Sequence, residues 1–142
     1  TTNFFMADLI PYLTFNSNCR EAMNFYKECL GGELILMPVS ETPVAEQMPP
    51  HMKDAILHSS LKSGNFEIMA TDMSPQKFLT GNDMHLCLVC KSTAELHSLF
   101  EKLSVGGKVS QPLHEMFFGM IGTLQDKFGK SWILELNVQQ PE

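Results

Sequence analysis

Residues Ile10–Leu36 read IPYLTFNSNCREAMNFYKECLGGELIL, and this stretch decides the fold because the chain spells it twice. An apolar run, a helix-start signal, an amphipathic segment, two glycines and a second apolar run follow one another. Met84–Val109, MHLCLVCKSTAELHSLFEKLSVGGKV, repeats that order at an offset of about 74 positions, the self-similarity expected of a duplicated unit. Asn18-Cys-Arg-Glu21 aligns with Ser92-Thr-Ala-Glu95, and each has capping-box spacing, in which two side chains satisfy the orphan amides of a helix start. Phe25-Tyr26 falls on Leu99-Phe100, and Gly31-Gly32 falls on Gly106-Gly107 after a one-residue insertion. Carried back to the preceding apolar runs, the offset places Pro11 opposite His85. One half then has a potential ligand where the other has none.

Composition narrows the class. At 142 residues, with 44% hydrophobic and 18% charged residues, the chain is long enough for one hydrophobic core and is not of disordered composition. A net charge of -6 and the absence of any basic run argue against a nucleic-acid partner, because phosphate backbones need clustered Lys or Arg. No apolar stretch has the ~18 residues of a membrane span, and Thr1–Asp8 lacks a signal-peptide layout. Cys19, Cys29, Cys87 and Cys90 form no disulfide framework, so the expected location is cytoplasmic.

Reading outward from the repeat gives eight strands and two main helices. Leu9–Phe15 is a short strand. Cys19–Leu30 is a helix with Ala22, Met23, Tyr26, Cys29 and Leu30 on one face, ended by Gly31-Gly32. Glu33–Met37 is a strand, and Pro38–Lys53, with four of the eight prolines, is a long loop of the kind that is often functional. Ala55–Lys62 and Asn65–Thr71 form a hairpin around Ser63-Gly64, and Met73–Asp83 links the halves. In the second half His85–Cys90 is a strand and Thr93–Ser104 a helix with Leu96, Leu99, Phe100 and Leu103 inward. Lys108–Glu115, Phe117–Gln125 and Ser131–Val138 are the last three strands. The fold class is α+β, one domain spanning 1–142, with a first βαβββ module at 1–78 and a second at 79–142. A βαβββ sheet cannot bury both faces alone, so two modules are expected to form a cupped mixed sheet with helices outside and a small-molecule pocket on the inner face.

The order βαβββ–βαβββ, with Gly-Gly after each helix, resembles the vicinal oxygen chelate superfamily of glyoxalase I, extradiol dioxygenases and the bleomycin- and fosfomycin-resistance proteins. More narrowly, Pro11-Tyr-Leu-Thr-Phe-Asn16, Asn18-Cys-Arg-Glu-Ala22, Phe25-Tyr26 and Leu30-Gly-Gly resemble the opening of its PhnB-like branch. So do Ala55-Ile-Leu-His58, Ile68-Met-Ala-Thr-Asp72 and Gly122-Thr-Leu-Gln-Asp-Lys-Phe-Gly129 followed by Trp132. The superfamily's metal enzymes place His or Gln early and Glu late in each module, holding a divalent metal with positions open for two substrate oxygens. Mapped here, the resemblance puts those ligands at Pro11, His85, about Met69 and about Ile133, of which His85 alone is a suitable donor. Glu135 shares a strand face with Ile133. The resemblance therefore implies a degenerate metal site: no cofactor is expected, with a divalent metal as the lesser alternative.

The remaining candidates are weighed residue by residue. His58 shares a strand face with Ile56 and Ser60, and is either a satisfied structural histidine or a pocket acid/base group. His85 is either a hydrogen-bonded pocket residue or a ligand. Cys87-Leu-Val-Cys90 has redox spacing, but strand alternation separates the thiols, which read as buried. His114-Glu115 diverge for the same reason. Met69, Met73, Met84, Met116 and Met120 suggest an adaptable apolar wall or plain core filling; Trp132 with Phe118 suits stacking on a flat ligand or anchoring the core. The expected ligand-binding set is His58, Met69, His85, Met116, Phe118, Trp132 and Glu135. A demethylubiquinone methyltransferase label, common in that branch, is not supported by these residues: no glycine follows the first strand, where an adenosyl cofactor is commonly cradled.

Three functions follow from the resemblance. One is a homodimeric protein that binds a small apolar or aromatic molecule without metal. Another is an isomerase, lyase or dioxygenase with a degenerate metal site that uses His85, the displaced Glu135 and a group from a partner chain, and a third is a structural or regulatory dimer module with a vestigial pocket.

Overall fold

The structure, a computed structural model, describes residues 4, 6–74 and 76–138. Its elements are β1 (Tyr12–Thr14), α1 (Cys19–Leu30), β2 (Glu33–Pro38), β3 (Ile56–Ser63) and β4 (Phe66–Thr71), then β5 (Leu86–Val89), α2 (Thr93–Ser104), β6 (Lys108–Met116), β7 (Gly119–Gln125) and β8 (Ser131–Asn137). The order βαβββ is thus written twice, in the α+β class expected. The chain divides into two compact units, Thr1–Phe78 and Leu79–Glu142. Each has a four-stranded mixed sheet, ordered β1-β4-β3-β2 in the first and β5-β8-β7-β6 in the second. In both, the first strand runs parallel to its neighbour and the other pairs are antiparallel.

Both helices occupy the spans that their periodicity predicts. Cys19, Ala22, Met23, Phe25, Tyr26 and Cys29 of α1 are buried, and α1 packs on β2, β3 and β4. Leu96, Phe100 and Leu103 of α2 are buried against β6, β7 and β8. Each large side chain taken out of water in this way contributes about 1.5–3 kcal/mol before entropy.

The two helix starts differ. At α2 the serine half of the expected capping box forms, with Ser92 Oγ accepting from Glu95 N at 3.1 Å, while Glu95 Oε1 reaches one residue further back and accepts from Lys91 N at 2.9 Å. At α1 it does not, because Asn18 makes no side-chain cap bond and accepts instead from Asn16 N. The cap comes from Asp72, just past β4, whose Oδ1 accepts from Cys19 N at 3.0 Å and Oδ2 from Ile56 N at 2.9 Å. One carboxylate thereby ties the start of α1 to the start of β3 and the end of β4.

β1 is shorter than expected, since Leu9 is fully exposed and pairing begins at Tyr12. The long loop contains three short 3-10 turns, Val39–Glu41, Pro43–Gln47 and Pro50–Met52. Bonds from Val39 N to Ala55 O and from Ser40 N to Lys53 O close its base.

Candidate functional site

Strand register decides which side chains share a face, and it revises the self-alignment. Tyr12 lies beside Met69 and Thr14 beside Thr71; Cys87 lies beside Ile133 and Val89 beside Glu135. Phe15 N donates to Thr71 O as Cys90 N donates to Glu135 O. Tyr12 therefore matches Cys87, an offset of 75, whereas Cys19 matches Thr93 at the helices, an offset of 74. The counterpart of His85 is Ile10, and that of Pro11 is Leu86, so the expected Pro11–His85 opposition is corrected. The extra residue falls in Asn16–Asn18, where Ser17 has φ 69, a left-handed turn residue of short polar type.

In the first unit α1 covers the face carrying Ser59, whose Oγ lies 3.5 Å from Cys19 Sγ. The opposite, open face carries Tyr12, His58, Ser60, Glu67 and Met69, with Ile35 and Met37 on β2. Tyr12 Oη lies 3.2 Å from His58 Nδ1, and Ser60 Oγ donates to Glu67 Oε2 at 2.5 Å. His58 and Met69, both expected site residues, are thus brought together. Ile56 is not with them: the register slips between Met37 and Pro38, so Ile56 pairs with Pro38 and is fully buried. Tyr12, Ser60 and Glu67 were missing from the sequence-based set. Their signal was the alternation itself, since Ser60 and Glu67 keep parity with His58 and Met69 within their strands.

In the second unit Phe100 of α2 faces Gly122, so the covered face is that of Leu124, Trp132, Leu134 and Leu136, all buried. Trp132 belongs to this core, and its Nε1 donates to Asp126 Oδ2 at 2.8 Å. A stacking role for Trp132 on a ligand is thereby corrected: alternation directs it away from the face that holds Ile133 and Glu135. Phe118 lies in the β6–β7 turn, edge-on to exposed Phe117 at 5.3 Å between centroids. Met116 is half-exposed at the end of β6 beside Gly119. His85 is exposed and precedes β5. The expected residues of this half are spread along the sheet rather than gathered.

The family model described as 3-demethylubiquinone-9 3-methyltransferase matches residues 7–135. Protein YjdN of Escherichia coli (strain K12) is 32% identical over 143 residues, covering 94% of this chain and 97% of YjdN. Among solved structures, protein PA1353 from Pseudomonas aeruginosa is 35% identical with a TM-score of 0.83, covering 92% of this chain and 98% of that one. A PhnB protein from Bacillus cereus is 26% identical with a TM-score of 0.73, over 92% and 99% of the two chains. This chain belongs to the PhnB-like family that the family model describes. A glyoxylase/bleomycin resistance protein/dioxygenase domain from Frankia sp. EAN1pec has the same fold at 17% identity, with a TM-score of 0.65 over 94% and 99% of the chains.

The divalent metal that the resemblance to the vicinal oxygen chelate superfamily implies fits this PhnB-like chain poorly. Among the described residues no three His, Cys, Asp or Glu form a group able to hold a metal ion. In the second unit Leu86 pairs with Trp132 and Val89 with Glu135, so His85 and Glu135 stand four residues apart along parallel strands. At the usual rise that is about 13 Å, too far for one ion. Ile10, Met69 and Ile133 offer no hard donor.

The thiols are equally unsuited to nucleophilic work. Cys87 is exposed, contrary to the buried thiol expected, while Cys90 is buried. Desolvation raises the Cys87 pKa and the Glu135 carboxylate raises it further. Burial, Glu95 and Cys87 push Cys90 up to about 11. Only the thiolate reacts, so iodoacetamide at pH 7 is expected to label Cys87 slowly and Cys19, Cys29 and Cys90 not at all in the native state. The Cys87 rate should climb with pH to above 9. Glu135→Gln should accelerate it by less than about tenfold, the worth of one pKa unit, as followed by intact mass.

Proposed function

We propose that this PhnB-like protein binds a small apolar or aromatic molecule on its open sheet faces without a metal, as a homodimer. The observation that carries this reading is the character of the face opposite α1. Tyr12, Ile35 and Met37 are 51%, 60% and 41% exposed, beside part-exposed His58 and Met69. A merely solvated sheet face carries polar side chains; apolar walls with a few fixed polar groups are what small ligands use. The acidic balance of the chain favours neutral or cationic ligands.

A methyltransferase reading has less support. Neither sheet is the doubly wound parallel type, and no glycine lies between β1 and α1 or between β5 and α2, where that class commonly holds the adenosyl cofactor. The experiment is metal analysis of protein purified without chelator, titration with Ni, Mn and Zn, and thermal-shift screening of an aromatic library. Expected are sub-stoichiometric metal, no metal-induced stabilisation and stabilisation by a subset of aromatics. Stoichiometric metal that is lost in His85→Ala would overturn the reading in favour of a metal-dependent isomerase, lyase or dioxygenase. Light scattering should give twice 16.0 kDa.

A further inference from the structure

We propose that Tyr12 and His58 form a hydroxyl-recognising subsite on the open face of the first unit, selective for planar aromatic molecules that carry a phenol-type hydroxyl. This rests on the binding reading above and names its ligand class. Tyr12 stands on β1 and His58 on β3, the two strands that flank β4. The phenol therefore reaches across β4, bringing Oη within 3.2 Å of Nδ1 and the ring centroids to 5.8 Å. Neither group is spent on the core, because both lie on the face away from α1.

The chemistry of the pair fixes what it recognises. A neutral imidazole has one N–H and one bare nitrogen. With Tyr12 Oη donating to Nδ1, the Nε2–H is a free donor and the phenol oxygen a free acceptor. In the other tautomer Nδ1–H donates to Oη, leaving Nε2 as a free acceptor and the phenol O–H as a free donor. Either way the pair presents one donor and one acceptor. A hydroxyl satisfies both with one atom, an ether oxygen satisfies one, and a phenolate has no proton to give.

The neighbours define the rest of the ligand. Met69 stands in register between Tyr12 and Ser60, and its thioether is suited to an aromatic partner. Ile35 and Met37 extend the apolar surface along β2. Glu67, held by Ser60 Oγ, places a carboxylate on the same face and disfavours anions.

The test uses two compounds that differ at the hydroxyl alone, 2-naphthol and 2-methoxynaphthalene, titrated calorimetrically into the full chain. 2-Naphthol is expected to bind about 5–10-fold more tightly, the worth of one net hydrogen bond. Tyr12→Phe and His58→Phe should each reduce that preference to less than about twofold, since one of the pair's two bonds to the hydroxyl is lost. His58→Gln, with circular dichroism on every variant, guards against a folding artefact. Equal affinities in the parent protein, a preference that survives both substitutions, or failure of both compounds to bind overturns the subsite. Silence across the whole aromatic library overturns the binding reading itself, so the two failures are distinguishable.

Discussion

Asp126→Ala is expected to destabilise the protein by about 3–4 kcal/mol, because three donors lose one charged acceptor. Asp126 is 3% exposed. Its Oδ1 accepts from Phe128 N at 2.9 Å and Lys130 N at 3.0 Å, and its Oδ2 from Trp132 Nε1 at 2.8 Å. The first two bonds shape the β7–β8 turn, and the third locks a fully buried indole in the core. Water can reach the turn amides after truncation, but the indole N–H is left buried, and that desolvation is the costly part. Asp126→Asn keeps the Oδ1 acceptor while setting an amide N–H against the indole N–H, and is expected to cost about 2 kcal/mol. Trp132→Phe in the Asn background should then cost less than Trp132→Phe alone, a non-additivity that a double-mutant cycle reads. Trp132 is the sole tryptophan and two arms of the cycle remove it, so denaturant unfolding followed by far-UV circular dichroism measures every arm. A loss below about 1 kcal/mol in Asp126→Ala, that of an ordinary surface substitution, would show that the carboxylate does not organise this turn.

What sequence reasoning recovered and what it missed divide along a physical line. Periodicity placed Cys19–Leu30 and Thr93–Ser104 because amphipathic helices encode their core face locally. The Ser92–Glu95 cap was legible for the same reason, its two members being three residues apart. The Asp72 cap on Cys19 joins residues 53 positions apart, and the Tyr12–His58 pair spans 46, so no local pattern encodes either. The Pro11–His85 alignment failed by one residue, and in a strand one residue moves every side chain to the other face. A left-handed serine at position 17 leaves no clear mark in Asn16-Ser-Asn18. Trp132 is a different case. Alternation along Ser131–Asn137 already sets Trp132, Leu134 and Leu136 against Ile133 and Glu135, so Trp132 and Glu135 could not both have lined one pocket.

The repeated Gly-Gly that ends each helix holds two different roles, and substitution should separate them. Gly31 and Gly106 have the same φ of 74, and a Cβ on Gly31 would meet nothing within 4 Å. Gly31, at φ 74 and ψ -167, lies in a region that essentially only glycine adopts, so Gly31→Ala is charged for backbone strain alone, about 1–3 kcal/mol. Gly32 also has positive φ, 96, but a Cβ there would run into the carbonyl oxygen of Lys62 at the end of β3. A Cβ on Gly107 would run in the same way into the carbonyl oxygen of Gln125 at the end of β7. Backbone cannot rotate aside as a side chain can, so the strand pair must separate at its first rung. Gly32→Ala, which combines the clash with an unfavourable φ, is expected to cost about 3–4 kcal/mol, and Gly107→Ala, which has the clash alone, about 2 kcal/mol. Chemical denaturation of the three single variants should give Gly32→Ala as the largest loss, ahead of both Gly107→Ala and Gly31→Ala. If Gly31→Ala were the most damaging, the pair would be a turn device only. The two carbonyl clashes make the second glycine of each pair the point where the strand after the helix is admitted to its sheet, at the same step of both βαβββ units.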